Sequence, residues 1–168
     1  SGVVGGVSGF PAARGVFGGG RGAVGGSNYN TIDYITIAST GDATDFGDLT
    51  LARQASAGVN SLTRGVFGFG QGPSNVLDYI TIASTGNATD FGDATQSSYG
   101  TQGSACDQTR GIFAGGYVAG SRGVNVIQYI TTASTGNATD FGDLTVGRYQ
   151  IQTQMSSPTR GIFAGGNS

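Results

Sequence analysis

The chain of 168 residues has 33 Gly and no Lys, Glu, His or Trp, so the residues that usually fill exposed helix faces are missing. Eight Arg against ten Asp give a net charge of −2, and without an arginine cluster to track phosphates a nucleic-acid partner is not expected. The apolar runs are too short for a membrane-crossing helix, no secretory h-region opens the sequence, and the lone Cys106 excludes an internal disulfide framework.

Thr, Ser, Ile, Val, Tyr and Phe accompany the glycines, a vocabulary of strands and turns that predicts an all-β chain. Internal repetition then organises it. The motif R-G-(V/I)-F begins at Arg14, Arg64, Arg110 and Arg160, at intervals of 50, 46 and 50 residues. Between these landmarks, Y-I-T-I-A-S-T-G-D-A-T-D-F-G-D-L-T starts at Tyr34 and returns with small changes from Tyr79 and Tyr129. A period of this length matches units of four strands. The boundaries fall at 1–53, 54–98, 99–148 and a partial 149–168, within a single repeat domain spanning 1–168. Because residue 1 is Ser rather than Met, the chain is expected to be processed, trimmed or cut from something larger.

Each unit reads as strands a, b, c and d. In the third they run over 101–108, 111–114, 126–133 and 141–148. Alternation in strand c sends Ile80 and Ile82 to one face and Tyr79 and Thr81 to the other, and turns such as Ser84-Thr85-Gly86-Asn87 separate c from d. The column Phe46, Phe91, Phe141 predicts rings buried between successive sheets. The final a–b pair, over 152–166, is expected to need an edge partner.

Several of these residues resemble the kelch repeat. A kelch unit carries an apolar strand ending in a Gly pair, a Val and a Tyr in strand c, a Trp opening strand d and an Arg after it. The third unit has Phe113-Ala114-Gly115-Gly116, Val126, Tyr129, Phe141 and Arg148, and the first has Gly18-Gly19, Tyr34, Phe46 and Arg53. The second departs, with Phe69 interrupting the glycines and neither Leu nor Arg in its strand d; every unit has Phe in place of Trp. The wording I-A-S-T-G-N-A-T-D-F-G-D-L-T is also similar to repeats in virion proteins of aquatic bacteriophages. The resemblance implies an all-β fold of kelch-like β-propeller blades, each a four-stranded antiparallel sheet, about three and a half of them here. Closed propellers need about four to eight blades, so the expected partners are missing blades of the same protein or other protein chains; two copies together would supply about seven.

The residues offer little chemistry. Kelch enzymes of the galactose oxidase type hold copper partly through histidine, and the chain has none; Ser-His and Cys-His nucleophiles are excluded likewise. Cys106 reads as a small buried or loop residue. The acidic turn Asp42, Asp45, Asp48 recurs as Asn87, Asp90, Asp93 and Asn137, Asp140, Asp143. Its spacing of three suits calcium poorly. Asn87 and Asn137 are instead expected at left-handed turn positions, with the Asp residues capping backbone N–H groups or meeting arginines. Arg64, Arg110 and Arg160 are expected to pair with the Asp of F-G-D, or alternatively to form a ring facing an acidic ligand. Asp107 alone breaks the acidic repeat, and the Asn87 and Asn137 sequons read as accidental. No catalytic residue, metal or cofactor is assigned.

The copies differ most between the motif Arg and Tyr, over intervals of 20, 15 and 19 residues. That stretch holds the b–c loop, which should emerge at the same end as the d–a connections. Loops that vary on one end are where repeat proteins place recognition. Arg21, Tyr29, Tyr117 and Arg122 are the candidate ligand-binding residues, suited to a surface glycan or protein. The leading functional reading is a non-enzymatic structural or attachment module of a virion or extracellular assembly. An intracellular kelch-type interaction module and a carbohydrate-active enzyme are the alternatives.

Overall fold

The computed structural model describes residues 3–4, 13–23, 26–70, 74–100, 102–120, 122–151 and 155–168. Among these there is no helix. Three four-stranded antiparallel sheets follow one another along the chain. The first contains β1 (Val3–Val4), β2 (Arg14–Arg21), β3 (Asn28–Thr36) and β4 (Thr44–Asp48). The second contains β5 (Ala57–Asn60), β6 (Arg64–Gly68), β7 (Ser74–Thr81) and β8 (Thr89–Ser98). The third contains β9 (Gly103–Cys106), β10 (Arg110–Ala114), β13 (Val126–Thr131) and β14 (Thr139–Asp143), with a small hairpin of β11 (Tyr117–Val118) and β12 (Arg122–Gly123) in its b–c connection. A last hairpin joins β15 (Met155–Ser157) to β16 (Arg160–Ile162).

Each sheet is an up-and-down meander in sequence order. Strand d of the third unit starts two residues earlier than expected and stops at Asp143, and strand a covers only Gly103–Cys106, with expected residue Thr101 outside the described residues. Gln152–Gln154 of the expected final a–b pair also lie outside them.

The two faces of a sheet carry different columns. Phe67 and Ile80 of the second sheet pack back onto Val16, Ile32, Phe46 and Leu49 of the first. Phe91, Val66 and Leu77 pack forward onto Phe113 and Ile130 of the third. Alternation in the pleat dictates this division, because neighbours along a strand face opposite ways. Burying a ring of this size contributes about 1.5–3 kcal/mol, so the stacked Phe column is a principal source of cohesion between sheets.

Phe46 and Phe91 are each 2% exposed, as the repeat predicts, but Phe141 is 51% exposed. The cover over Phe91 comes from strand c and the c–d turn of the following unit, Ile130 and Ala138. Among the described residues the fourth unit contributes the hairpin β15–β16; Phe163, just after β16, and Ile151 pack with Leu144 and Ile127 but leave Phe141 open.

Phe69 explains the second unit's departure from the glycine pair. Its φ of 62° occupies the left-handed region that Gly19 and Gly115 hold at 75° in the other units. That conformation costs a non-glycine residue about 1–2 kcal/mol. The ring offsets this cost, being fully buried and edge-on to Phe113 with centroids 5.2 Å apart.

Candidate functional site

Two regions gather functional groups: the joints between sheets with their open last member, and the loop end.

At each internal joint the c–d turn of one sheet inserts against strand d of the sheet before it. Gly86 N donates to Phe46 O (2.7 Å), Ala88 N to Asp48 O (2.8 Å), and Asn87 Oδ1 accepts from Asp48 N (3.1 Å). The next joint repeats this with Gly136 to Phe91 (2.7 Å), Ala138 to Asp93 (2.8 Å) and Asp93 N to Asn137 Oδ1 (3.0 Å). The left-handed turn position expected for Asn87 and Asn137 therefore goes elsewhere: Gly86 and Gly136 have the positive φ, 154° and 153°, and the asparagines cap the neighbouring sheet. Asp45, Asp48, Asp90 and Asp93 are exposed, and among the described residues no three His, Cys, Asp or Glu side chains converge as metal ligands.

Among the described residues the motif arginines form no ion pair with the F-G-D carboxylates. Arg14, Arg64 and Arg110 lie over Tyr34, Tyr79 and Tyr129 at 4.6, 4.6 and 4.8 Å from the ring centroids. Arg14 and Arg64 then reach the following sheet, donating to Ile82 O (2.8 Å) and Thr132 O (3.2 Å). The tyrosine face guides each guanidinium across the joint to a backbone carbonyl, leaving the Asp side chains in water.

A buried ion pair also crosses the first joint. Arg53 Nη2 lies 2.5 Å from Asp78 Oδ2, with side chains 1% and 0% exposed. Arg53 also donates to Phe69 O (3.2 Å) and Val76 O (3.0 Å), and Thr50 Oγ1 donates to Asp78 Oδ1. Burial pushes the Asp78 carboxyl above its ordinary range, opposed by the Thr50 hydroxyl and by Arg53. Burial likewise lowers Arg53. At the second joint the same places hold Ser98 and Gln128, and Thr95 N and Oγ1 donate to Gln128 Oε1 at 2.8 and 3.1 Å.

Cys106 is half-buried on strand β9, not in a loop, with Sγ 3.6 Å from Asn60 Oδ1. Asp107 caps the a–b turn: its Oδ1 accepts from Thr109 N and Arg110 N, both at 2.6 Å. Ser61 and Ser157 fill this role in their units.

At the loop end, b–c and d–a connections meet as expected. Arg53 N donates to Tyr29 O (3.0 Å), and Tyr99 and Tyr117 exchange backbone hydrogen bonds at 2.8 and 2.9 Å. The candidate residues divide into two groups, between which no contact occurs among the described residues. Arg21 and Tyr29 belong to the first unit; Arg21 Nε donates to Gly26 O (3.0 Å), and Tyr29 is half exposed. Arg21, Gly26, Asn28 and Gln54 line a shallow cleft of about 270 Å³. In the third unit Tyr117 is the centre of an aromatic cluster, 4.4 Å from Tyr99 and 5.2 Å from Tyr149 between centroids. Arg122 is exposed on the β11–β12 hairpin, where it pairs with Val118.

Tyr99 and Tyr149 were missing from the candidate set. The sequence carries a signal for them, since both stand in one repeat column 50 residues apart, just after the stretch expected as strand d. Partial desolvation, followed by a hydrogen bond with Tyr117, raises the Tyr99 phenol above its ordinary value. Tyr99 therefore presents a neutral hydroxyl at physiological pH.

The open end of the third sheet forms the second concavity, a cleft of about 290 Å³ between that sheet and the β15–β16 hairpin, where Ile112, Ile127, Phe141 and Phe163 supply apolar walls.

No protein-family model matches the chain, and no curated protein does. Among solved structures that match, one titled "Structure of YjhT" is similar with a TM-score of 0.64 at 8% identity, covering 83% of this chain. The chain spans about half the length of that protein, 52%. At this identity the likeness is one of fold alone.

Proposed function

We propose that the chain is a non-enzymatic repeat module whose units are kelch-like β-propeller blades, about three and a half of them. In this reading it serves structure and attachment in a virion or extracellular assembly, and the loop end recognises a surface glycan or protein. The observation that carries the binding role is the Tyr99–Tyr117–Tyr149 cluster, with an exposed Arg122 on the same β11–β12 hairpin as Tyr117. Tyrosine faces stack on sugar rings or apolar side chains, and their hydroxyls and the guanidinium add directional hydrogen bonds. Repetition supports the division of labour. The turns at the opposite end are spent on holding sheets together, whereas the loop end differs from unit to unit and can read an asymmetric ligand.

The test is a glycan array and a host-cell binding assay on the wild type and a Tyr117→Ala, Arg122→Ala double variant. Binding should fall at least about tenfold with the fold intact. Undiminished binding, with loss on replacing the exposed Asp45 or Asp90 instead, would overturn the choice of end.

A further inference from the structure

We propose that the cleft between the third sheet and β16 is an acceptor for a β-hairpin of the repeat's own c–d chemistry, and that Arg148 selects hairpins carrying Asp in strand c. This follows from the registers of the joints and does not depend on what the loop end binds.

The elements that the internal joints use on their receiving side are present here, and among the described residues they have no complement. Gly47 and Gly92, at φ of 143° and 138°, lie so close to the incoming turn that a Cβ would come within 2.5 Å of Gly86 O or Gly136 O. Gly142 has the same conformation, at 140°, and among the described residues nothing lies within 4 Å of its Cβ position. Phe141 is exposed where Phe46 and Phe91 are buried. Arg110 stacks on Tyr129 as Arg14 and Arg64 stack on their tyrosines, but among the described residues no carbonyl receives it. Among the described residues β16 pairs with β15 alone, which leaves its other edge without a strand partner. A strand added there gains main-chain hydrogen bonds as well as a side-chain seat.

Selectivity comes from one column. At the first joint Arg53 and Thr50 hold Asp78; at the second, Ser98 and Thr95 accompany Gln128. Charge on the receiving strand thus goes with charge on the incoming one, and neutral with neutral. The third sheet returns to the charged version with Arg148 and Thr145. Arg148 donates from Nη2 to Phe163 O (3.0 Å), but among the described residues its buried Nε has no hydrogen-bond partner. An incoming Asp at the position of Asp78 would complete the set seen at the first joint.

A second copy of the chain fits this seat poorly. Its first sheet already has β1 and β2 beside β3, and these would occupy the space of β15 and β16. A hairpin without strands a and b meets no such obstacle.

The test uses the full chain and a fluorescently labelled synthetic peptide with the sequence of Ser74–Asp93, read by anisotropy. The peptide should bind saturably, and its Asp78→Gln version about tenfold more weakly. An Arg148→Ser chain should lose this preference. A Phe141→Asp chain, altered at an exposed position that folding tolerates, should lose binding to both peptides. Absence of binding to the wild type, or equal affinity for the two peptides, would overturn the proposal. So would self-association of the chain that blocks the peptide, since the occupant would then be a second copy.

Discussion

The joint between the second and third sheets and the open end of the third sheet are built from nearly the same residues, yet one is a core and the other a surface. T-D-F-G-D occurs at Thr89–Asp93 and at Thr139–Asp143 in the same strand conformation. At the first, Phe91 is covered and three hydrogen bonds tie Phe91 and Asp93 to the following turn. At the second, none of these contacts is present among the described residues. Burial in a repeat protein belongs to the pair of neighbours and not to the unit, so identical sequence carries different energy at different places along the array.

The sharpest way to break this comparison is to truncate the same ring at both places. Phe91→Ala should cost about 3–5 kcal/mol in denaturant unfolding, whereas Phe141→Ala should cost less than about 1 kcal/mol. Equal losses would mean that Phe141 is covered in solution.

The arginines give the next largest contrast. Arg53→Ala leaves the Asp78 carboxyl buried and unpaired, a change that costs about 3 kcal/mol, at the lower end for such deletions because a carboxyl already pushed up by burial can take a proton. Arg148→Ala removes a half-buried side chain that has no carboxylate partner among the described residues and should cost about 1 kcal/mol or less. Thermal unfolding of both variants at neutral pH checks the difference. A cost for Arg148→Ala close to that of Arg53→Ala would mean that it already has an acidic partner.

The smallest effect sharpens the a–b turns. Backbone N–H groups of Arg110 and Thr109 hold the Asp107 carboxyl below its ordinary value. A folded-state pKa below the unfolded one, about 3.9, gives stability that is present above about pH 4 and lost as pH falls through the folded value. Asp107→Ser copies the uncharged cap of Ser61 and Ser157. The wild type should therefore melt slightly higher than Asp107→Ser at neutral pH, and the gap should close on acidification. A pH-independent gap would assign the cap no titrating role.

Much of the architecture could be read from the sequence. The all-β class, the four-stranded unit, its period and the meeting of b–c with d–a loops all follow from composition and spacing, because turn chemistry and pleat alternation are local properties. The arginine partners could not be read this way. Pairing opposite charges is the natural expectation from residue type, but whether Asp or a backbone carbonyl lies at the end of a guanidinium depends on how one sheet seats on the next. The tyrosine cluster was partly visible: Tyr117 stood out in its loop, while Tyr99 and Tyr149 needed the d–a connections brought beside the b–c hairpin.

What the sequence alone determined is the unit: which residues form strands, which turn, and which columns face forward or back. Only the tertiary structure decided which of those columns became core. Phe46, Phe91 and Phe141 are indistinguishable as residues in a motif, and the hydrophobic contribution of each depends on whether a neighbouring sheet removes it from water. The same holds for the acidic column, where Asp33 is exposed and Asp78 is buried against Arg53. Strand formation is written in local dihedral preference and alternation, but burial is a relation between two surfaces and exists only where both are present.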